Sequence, residues 1–224
     1  MSTSWSRFLR HVRLPKGLIL ENFNYFALMY LNDWYWWDKP FSERIGGSDK
    51  DDSLEAFHEA AKYYKVTRNF SGLKNEKRLA TAEALVLDVK RPISANDACE
   101  TVRALAASFR EKYGKTAISA ASKLLWLRFK SPIIIFDGRA VAWLRANKYK
   151  IPHGASYDTY CEKWLLAFDR HEERVREACE GLIDVKQYSL VAEENYDELE
   201  GVIRQRWFLE RVFDKYLWFN AAGG

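Results

Sequence analysis

Gly114 is the residue that most constrains how this chain folds. It falls between two helical patterns. On its N-terminal side Ala98, Val102, Leu105, Ala106 and Phe109 recur at three- and four-residue steps, with Ser94, Asn96 or Asp97 available as the cap. A glycine after such a run suits the left-handed position that ends a helix. The stretch KTAISAASKLLWLRF, residues 115–129, then begins another helix at once. Helices joined by so few residues must fold back as a tight hairpin. A break follows at Phe129 to Pro132, then the apolar run Ile133 to Phe136, then Asp137, Gly138, Arg139 and a helix-like AVAWL. Four residues are too few for a helix. The run reads as a buried, extended stretch feeding a helix over 138–147.

The rest of the chain is also helical in pattern. LENFNYFALMYLNDWYWW, residues 20–37, is apolar at nearly every position and should be buried on several sides, with Pro40 ending it. Asp51, Asp52 and Ser53 can cap a helix running to about Tyr64, and FSGLKNEKR (70–78) reads as a polar connection. A helix over 79–89 is halted by Pro92. Residues 156–179 and 195–220 carry long amphipathic patterns, the first with a break near Asp169. The only strand candidates, Leu190-Val191-Ala192 and Ile133 to Ile135, are too short for a sheet core. The expected fold class is all-α.

Charge is distributed unevenly. Residues 151–224 hold 9 Lys+Arg and 15 Asp+Glu, net −6, which leaves 26 basic and 16 acidic residues before them, net +10. Between 103 and 150 there are eleven basic residues and only Glu111 and Asp137 as acids, net +9. A basic surface concentrated in one segment suggests a polyanion partner, although a solvated positive face with no partner has the same composition. No apolar run reaches the length of a membrane span, and the N-terminus lacks the continuous apolar core of a signal peptide. Three scattered cysteines (Cys99, Cys161, Cys179) fit buried thiols in a reducing cytoplasm. The four histidines form no close pair, so no metal site is expected.

An acid inside the most basic segment needs a reason. Asp137 suits the N-cap of the helix that follows, its carboxylate accepting backbone N–H bonds, worth about 1 kcal/mol. A carboxylate held there stays ionised and rigidly aimed, so it can also stabilise a developing positive charge or activate a water. Capping and catalysis are compatible.

The stretches YGKTAISAASKLLWLRF and SPIIIFDGRAVAWL, residues 113–144, resemble the helix-hairpin-helix DNA glycosylase superfamily, in particular 8-oxoguanine DNA glycosylase-like bacterial proteins. The resemblance covers about a seventh of the chain. It implies a two-lobed helical fold over 1–224, with the hairpin and catalytic segment at 105–150 and an acidic helical C-terminal lobe at 151–224. It implies that the hairpin amides bind a DNA phosphate around Gly114 and Thr116, that Asp137 is the catalytic carboxylate, and that Arg139 contacts phosphate. The usual hairpin has two glycines and this one has Gly114 alone. Lys112 and Lys115 flank it and supply charge instead. The family's spacing to a nucleophilic lysine lands on Ile118, so the resemblance implies a monofunctional enzyme that leaves an abasic site. A shift of one turn would bring Lys123 into that role. Read from its own surroundings, Lys123 lies beside the apolar face of Ala117, Ala120, Ala121, Leu124 and Leu125, where a lysine that covers apolar surface is ordinary.

Breaking an N-glycosidic bond gives the sugar oxocarbenium character, which a fixed carboxylate stabilises. The base must first leave the stack and enter a pocket. Trp34, Tyr35, Trp36, Trp37 and Asp38 are candidates to line it, although consecutive aromatics on a helix point in different directions and some must be core. The expected substrate is double-stranded DNA with a damaged or modified base, in base-excision repair or in defence against modified foreign DNA. The expected protein is a cytoplasmic monomer without cofactor. The competing class is a non-catalytic helix-hairpin-helix DNA-binding module.

Overall fold

The computed structural model describes residues 22–70 and 76–221. The N-terminal stretch read for a signal peptide, and most of the connection at 70–78, lie outside these. The secondary structure of the described residues is all helical, with no strand, and none of their helices is long and apolar enough to cross a membrane.

Helix α1 (Phe23–Asp33) is capped by the Asn22 side chain, which accepts from the Asn24 amide. Its buried residues Phe23, Phe26, Ala27, Tyr30 and Leu31 follow the helical period. Pro40 does not end the helical path, contrary to the sequence expectation. The chain passes through a π-helical turn (Trp34–Asp38) into α2 (Lys39–Arg44), with Pro40 in the first turn of α2. The Lys39 amide bonds the Trp34 carbonyl, five residues back. This wider register resets the helix just where proline lacks its own N–H. Helix α3 (Lys50–Tyr63) is capped two residues before the first of its candidate caps, because Asp49 accepts from the amides of Asp51 and Asp52.

Helix α4 (Glu76–Leu87) leads to α5 (Ala95–Tyr113). Ser94 caps α5 by accepting from the Asp97 amide, while the Asp97 carboxylate accepts from the Ile93 amide. Gly114 ends α5 with φ 73°. Helix α6 (Ile118–Phe129) packs against α2, α3, α4 and α5. It is therefore buried nearly all round, and Ala120, Ala121, Ser122, Leu124, Leu125, Trp126, Leu127 and Phe129 are all in the core.

After the extended run comes α7 (Gly138–Ala146), then α8 (Tyr157–Asp169) and α9 (Glu172–Glu180), broken at Arg170 and His171. A short α10 (Leu182–Val185) follows. The last long pattern is two helices, α11 (Tyr196–Ile203) and α12 (Arg206–Asn220). Helix α12 packs on α1 and α7, and α9 packs on α1. The acidic C-terminal third thus shares its core with the N-terminal helices.

Candidate active site

The site is built where α6, the extended run and α7 meet. Ile133, Ile134 and Ile135 are buried, as their apolar side chains require. Their backbone has no strand to pair with, so its polar groups need other partners. The Tyr157 hydroxyl donates to the Ile134 carbonyl, and the Tyr160 hydroxyl donates to the Ile135 carbonyl at 2.9 Å. The Phe136 amide donates to Ser122 Oγ at 3.0 Å. Three side chains from α6 and α8 thus hold the backbone leading into Asp137.

Asp137 divides its two oxygens between two partners. Oδ1 accepts from the Arg139 amide at 2.9 Å, which is the N-cap of α7. Oδ2 accepts from Lys123 Nζ at 3.1 Å. The lysine side chain is 12% exposed and the aspartate 26%, so the pair is screened by its surroundings yet open on one side. Ile118, where the family's lysine spacing lands, is the first residue of α6. Lys123 lies five residues further along, and it is the lysine that meets the carboxylate.

A second carboxylate lies beneath. Asp214 accepts from Trp164 Nε1 at 3.0 Å and from Arg211 at 3.0 Å. Burial pushes its carboxyl up to about 6; the Arg211 guanidinium and the Trp164 hydrogen bond oppose this, and Asp137 adds to it. Burial also raises Tyr160 well above the ordinary tyrosine value, with the Asp214 and Asp137 charges adding to the effect. Tyr160 therefore stays a protonated donor to the Ile135 carbonyl.

The hairpin turn presents Gly114, Lys115 and Thr116 to solvent, with Lys112 exposed just before it. A side chain at Gly114 would meet nothing within 4 Å, so the glycine is there for its positive φ and not for space. Ala117 takes the N-cap position of α6 and no side chain caps that end. Its first amides therefore have no side-chain acceptor from the N-cap residue. Arg139 is exposed, with its guanidinium 4.0 Å from the Trp218 ring centre. The basic window is not all surface charge. Arg128 donates to the Val86 and Val89 carbonyls, and Arg145 to those of Ile151 and Pro152. Arg110, Lys112, Lys115, Arg139, Lys148 and Lys150 remain exposed.

The candidate base-pocket residues are not brought together. Trp34 is buried against Trp207, their ring centres 4.4 Å apart. Tyr35 lies beneath Lys39, and burial, then Glu198, raises its hydroxyl above the ordinary value. Trp36 is 54% exposed, and its Nε1 donates to the Leu190 carbonyl. Trp37 stacks on Tyr63. Asp38 is only 1% exposed and accepts from the Tyr64 hydroxyl at 2.7 Å and the Tyr30 hydroxyl at 3.2 Å. Arg211 stands 3.7 Å from it. Burial raises the Asp38 carboxyl and Arg211 opposes that rise. The physical reason for the dispersal is the helical turn itself, which sends successive side chains to successive directions. Asp38 is a structural anion joining α1, α3 and α12.

Sequence reasoning missed Tyr157, Tyr160 and the Arg211–Asp214 pair. Tyr157 and Tyr160 share a helix face at a spacing of three, but nothing in the sequence ties that face to the run at 133–136. Among the described residues no group of three or more His, Cys, Asp or Glu is placed to hold a metal ion. The cysteines are buried and free. A shallow depression lined by Leu85, Arg91, Asp97, Thr101 and Ser108 lies between α4 and α5 and does not include Asp137. No protein-family model, curated protein or solved structure matches the chain.

Proposed function

We propose that the chain is a DNA glycosylase of the helix-hairpin-helix type, with Lys123 as amine nucleophile and Asp137 as its proton acceptor. The observation that carries this reading is the 3.1 Å contact between Lys123 Nζ and Asp137 Oδ2. An ammonium is not nucleophilic, so its proton must first pass to an acceptor in contact with it. Asp137 is within hydrogen-bond reach of the proton it must take. The amine then attacks C1′ of the extruded nucleotide. The C1′–N bond to the base breaks, the base leaves with the bonding pair and takes the proton that Asp137 received from Lys123, and a C1′–Nζ bond forms. As that proton passes to the base, the Asp137 carboxylate re-forms and stabilises the positive charge growing on the sugar. Transfer of an amine proton to O4′ opens the sugar ring and leaves a Schiff base; loss of a C2′ proton then expels the 3′-phosphate by β-elimination, so strand cleavage accompanies excision, unlike in the monofunctional enzyme implied by the family's lysine spacing.

The surroundings fit a DNA partner. Exposed Lys112, Lys115 and Arg139 flank an uncapped helix start whose amides can take a phosphate. In the competing reading, a binding module, the Lys123–Asp137 contact is only a structural ion pair. Pairs of this kind add little net stability, and an acid in a phosphate-binding face weakens binding.

The test is a panel of duplexes, each with one modified base, incubated with the parent protein and with Asp137→Asn. Strand scission before and after alkali is then scored. The proposal expects release of at least one base by the parent and its loss in the variant. A protein that binds every duplex and releases nothing is the binding module.

A further inference from the structure

Two thiols that the chemistry above leaves unused face each other across a helix seam. Cys99 is on α5 and Cys161 is on α8, and neither is in a disulfide. The two helices pack against each other. An ion pair fixes their register, with Arg103 Nε 3.4 Å from Asp158 Oδ2. Arg103 is one turn after Cys99, and Asp158 is about one turn before Cys161, so each of these pairs shares a helix face. The thiols meet on those faces, where Cys99 and Cys161 hydrogen-bond each other. A step back along α5 thus goes with a step forward along α8, and the helices run antiparallel.

The three cysteines are not equivalent. Cys99 keeps 8% of its surface exposed and has exposed Glu100 and Arg103 beside it. Cys179 has no exposed surface, and burial pushes its thiol up to about 12. The hydrogen bond with Cys161 lowers the Cys99 thiol; burial and Asp158 oppose this, and Arg103 adds to it. The same hydrogen bond, then burial, raise Cys161. The thiolate is the form that reacts with an oxidant. Cys99 is therefore the attacking sulfur, and Cys161 is the neighbour that resolves it.

The pair also touches the device that holds Asp137. Cys161 lies one turn after Tyr157 and hydrogen-bonds its hydroxyl. That hydroxyl donates to the Ile134 carbonyl, and Tyr160, next to Cys161 in sequence, donates to the Ile135 carbonyl. A chain of contacts runs from Cys99 through Cys161 and Tyr157 into the extended run.

We propose that Cys99 and Cys161 are an oxidative modification site, closing to a reversible disulfide that shifts α8 and loosens its tyrosines from the run into Asp137. The oxidant is hydrogen peroxide. The Cys99 thiolate attacks one peroxide oxygen, the O–O bond breaks, and the hydroxide released takes up the proton that Cys99 gave up. Cys99 is then a sulfenic acid, oxidised by two electrons. The Cys161 sulfur attacks the Cys99 sulfur, the S–O bond breaks, and hydroxide leaves with the Cys161 proton as a second water. The disulfide has no S–H to offer Tyr157, and a covalent bond in place of a contact draws α8 towards α5. A dithiol reductant restores both thiols by exchange and is itself oxidised to a disulfide. The modification stands apart from the glycosylase reading; its effect on base release rests on that reading.

The experiment treats the full chain with hydrogen peroxide, blocks the remaining thiols, digests without reductant and maps the peptides by mass. The expected product is a Cys99–Cys161 disulfide with Cys179 still a thiol. In Cys161→Ser, Cys99 should stop at the sulfenic acid and be captured by dimedone. A parent in which Cys99 and Cys161 stay thiols, or in which Cys179 reacts as readily, overturns the inference. Hydrogen exchange on the reduced and oxidised parent then reads the coupling. Amides at 133–137 should exchange about tenfold faster after oxidation and return to their first rate with dithiothreitol. A disulfide that leaves these rates unchanged overturns the link to the run. The last readout is trapping on a preformed abasic duplex with cyanoborohydride, which spares disulfides. The oxidised parent should trap about tenfold more slowly and recover on reduction, because small misplacements of a reacting group are costly. Equal trapping before and after oxidation also overturns the link. A reduced parent that traps nothing counts against the glycosylase alone, since mapping and exchange need no DNA chemistry.

Discussion

Lys123, in the middle of α6, places its ammonium 3.1 Å from Oδ2 of Asp137, whose other oxygen caps α7 through the Arg139 amide. One carboxylate thus terminates a helix and holds a charged amine. The two tasks use different oxygens, so they can be separated by mutation.

Asp137→Asn is the cleanest separation. Asparagine caps helices about as well as aspartate, so the cap should survive while the amine loses its proton acceptor. Base release should fall at least a hundredfold, with a stability change within about 1 kcal/mol. Single-turnover excision and thermal unfolding of the same preparation check this. Full activity in the variant would remove Asp137 from the chemistry.

Tyr160→Phe tests whether the extended run is a positioning device. The change deletes the hydroxyl that meets the Ile135 carbonyl at 2.9 Å and leaves that carbonyl short of a buried donor. Loss of such a bond costs about 1–3 kcal/mol of stability. If the hydroxyl also aims Asp137, the chemical rate should fall tenfold or more with duplex affinity unchanged, because small misplacements of a reacting group are costly. A variant that is destabilised but fully active would show the bond to be structural only.

The proposed DNA face yields a salt-dependence prediction. Lys115 is exposed in the hairpin turn, and Arg139 is exposed beside Trp218. Alanine at either position should weaken binding of duplexes about equally across sequences and lower the salt slope by roughly 1. Kd measured across a salt series is the check. Unchanged slopes in both variants would move DNA off this face.

Glu210 predicts a pH effect on stability that is separate from the site. It is buried, its Oε1 meets Arg206 at 3.0 Å, and its Oε2 has no partner. Burial pushes its carboxyl up to about 7, against an ordinary 4.5, with Arg206 opposing the rise. A raised carboxyl means that the folded protein binds the proton more tightly than the unfolded chain. This contribution is therefore present at pH 4 and is lost as pH rises towards and through 7. The span corresponds to roughly 3 kcal/mol at most, at 1.4 kcal/mol per tenfold change in proton affinity. Glu210→Gln should flatten the fall in denaturation midpoint between pH 4 and 8. An unchanged pH profile would mean that Glu210 keeps an ordinary affinity for its proton.

Much of the fold is legible in the residues, and the reasons differ by element. The α5–Gly114–α6 hairpin follows from helical periodicity plus a glycine at a left-handed position, both local signals. Asp137 as a helix cap is equally local. The continuation through Pro40 is not legible, because it depends on a π-helical register that proline alone does not announce. The partnership of Lys123 with Asp137 spans 14 residues and depends on how the Lys130–Pro132 turn and the Ile run bring Asp137, at the start of α7, back to Lys123. Counting by the spacing of the glycosylases that residues 113–144 resemble leads to Ile118, whereas the lysine in contact with Asp137 is 14 residues before it. The aromatic run at 34–37 has the composition of a pocket, but its helical geometry disperses it.

Borohydride trapping with peptide mapping tests the central claim most directly. The parent protein is incubated with a duplex carrying a single abasic site, reduced, digested and sequenced by mass. The account predicts a covalent protein–DNA adduct whose modified residue is Lys123, absent in Lys123→Met. An adduct mapped to another residue, or one that persists in Lys123→Met, or none from a parent that binds the duplex, would contradict it.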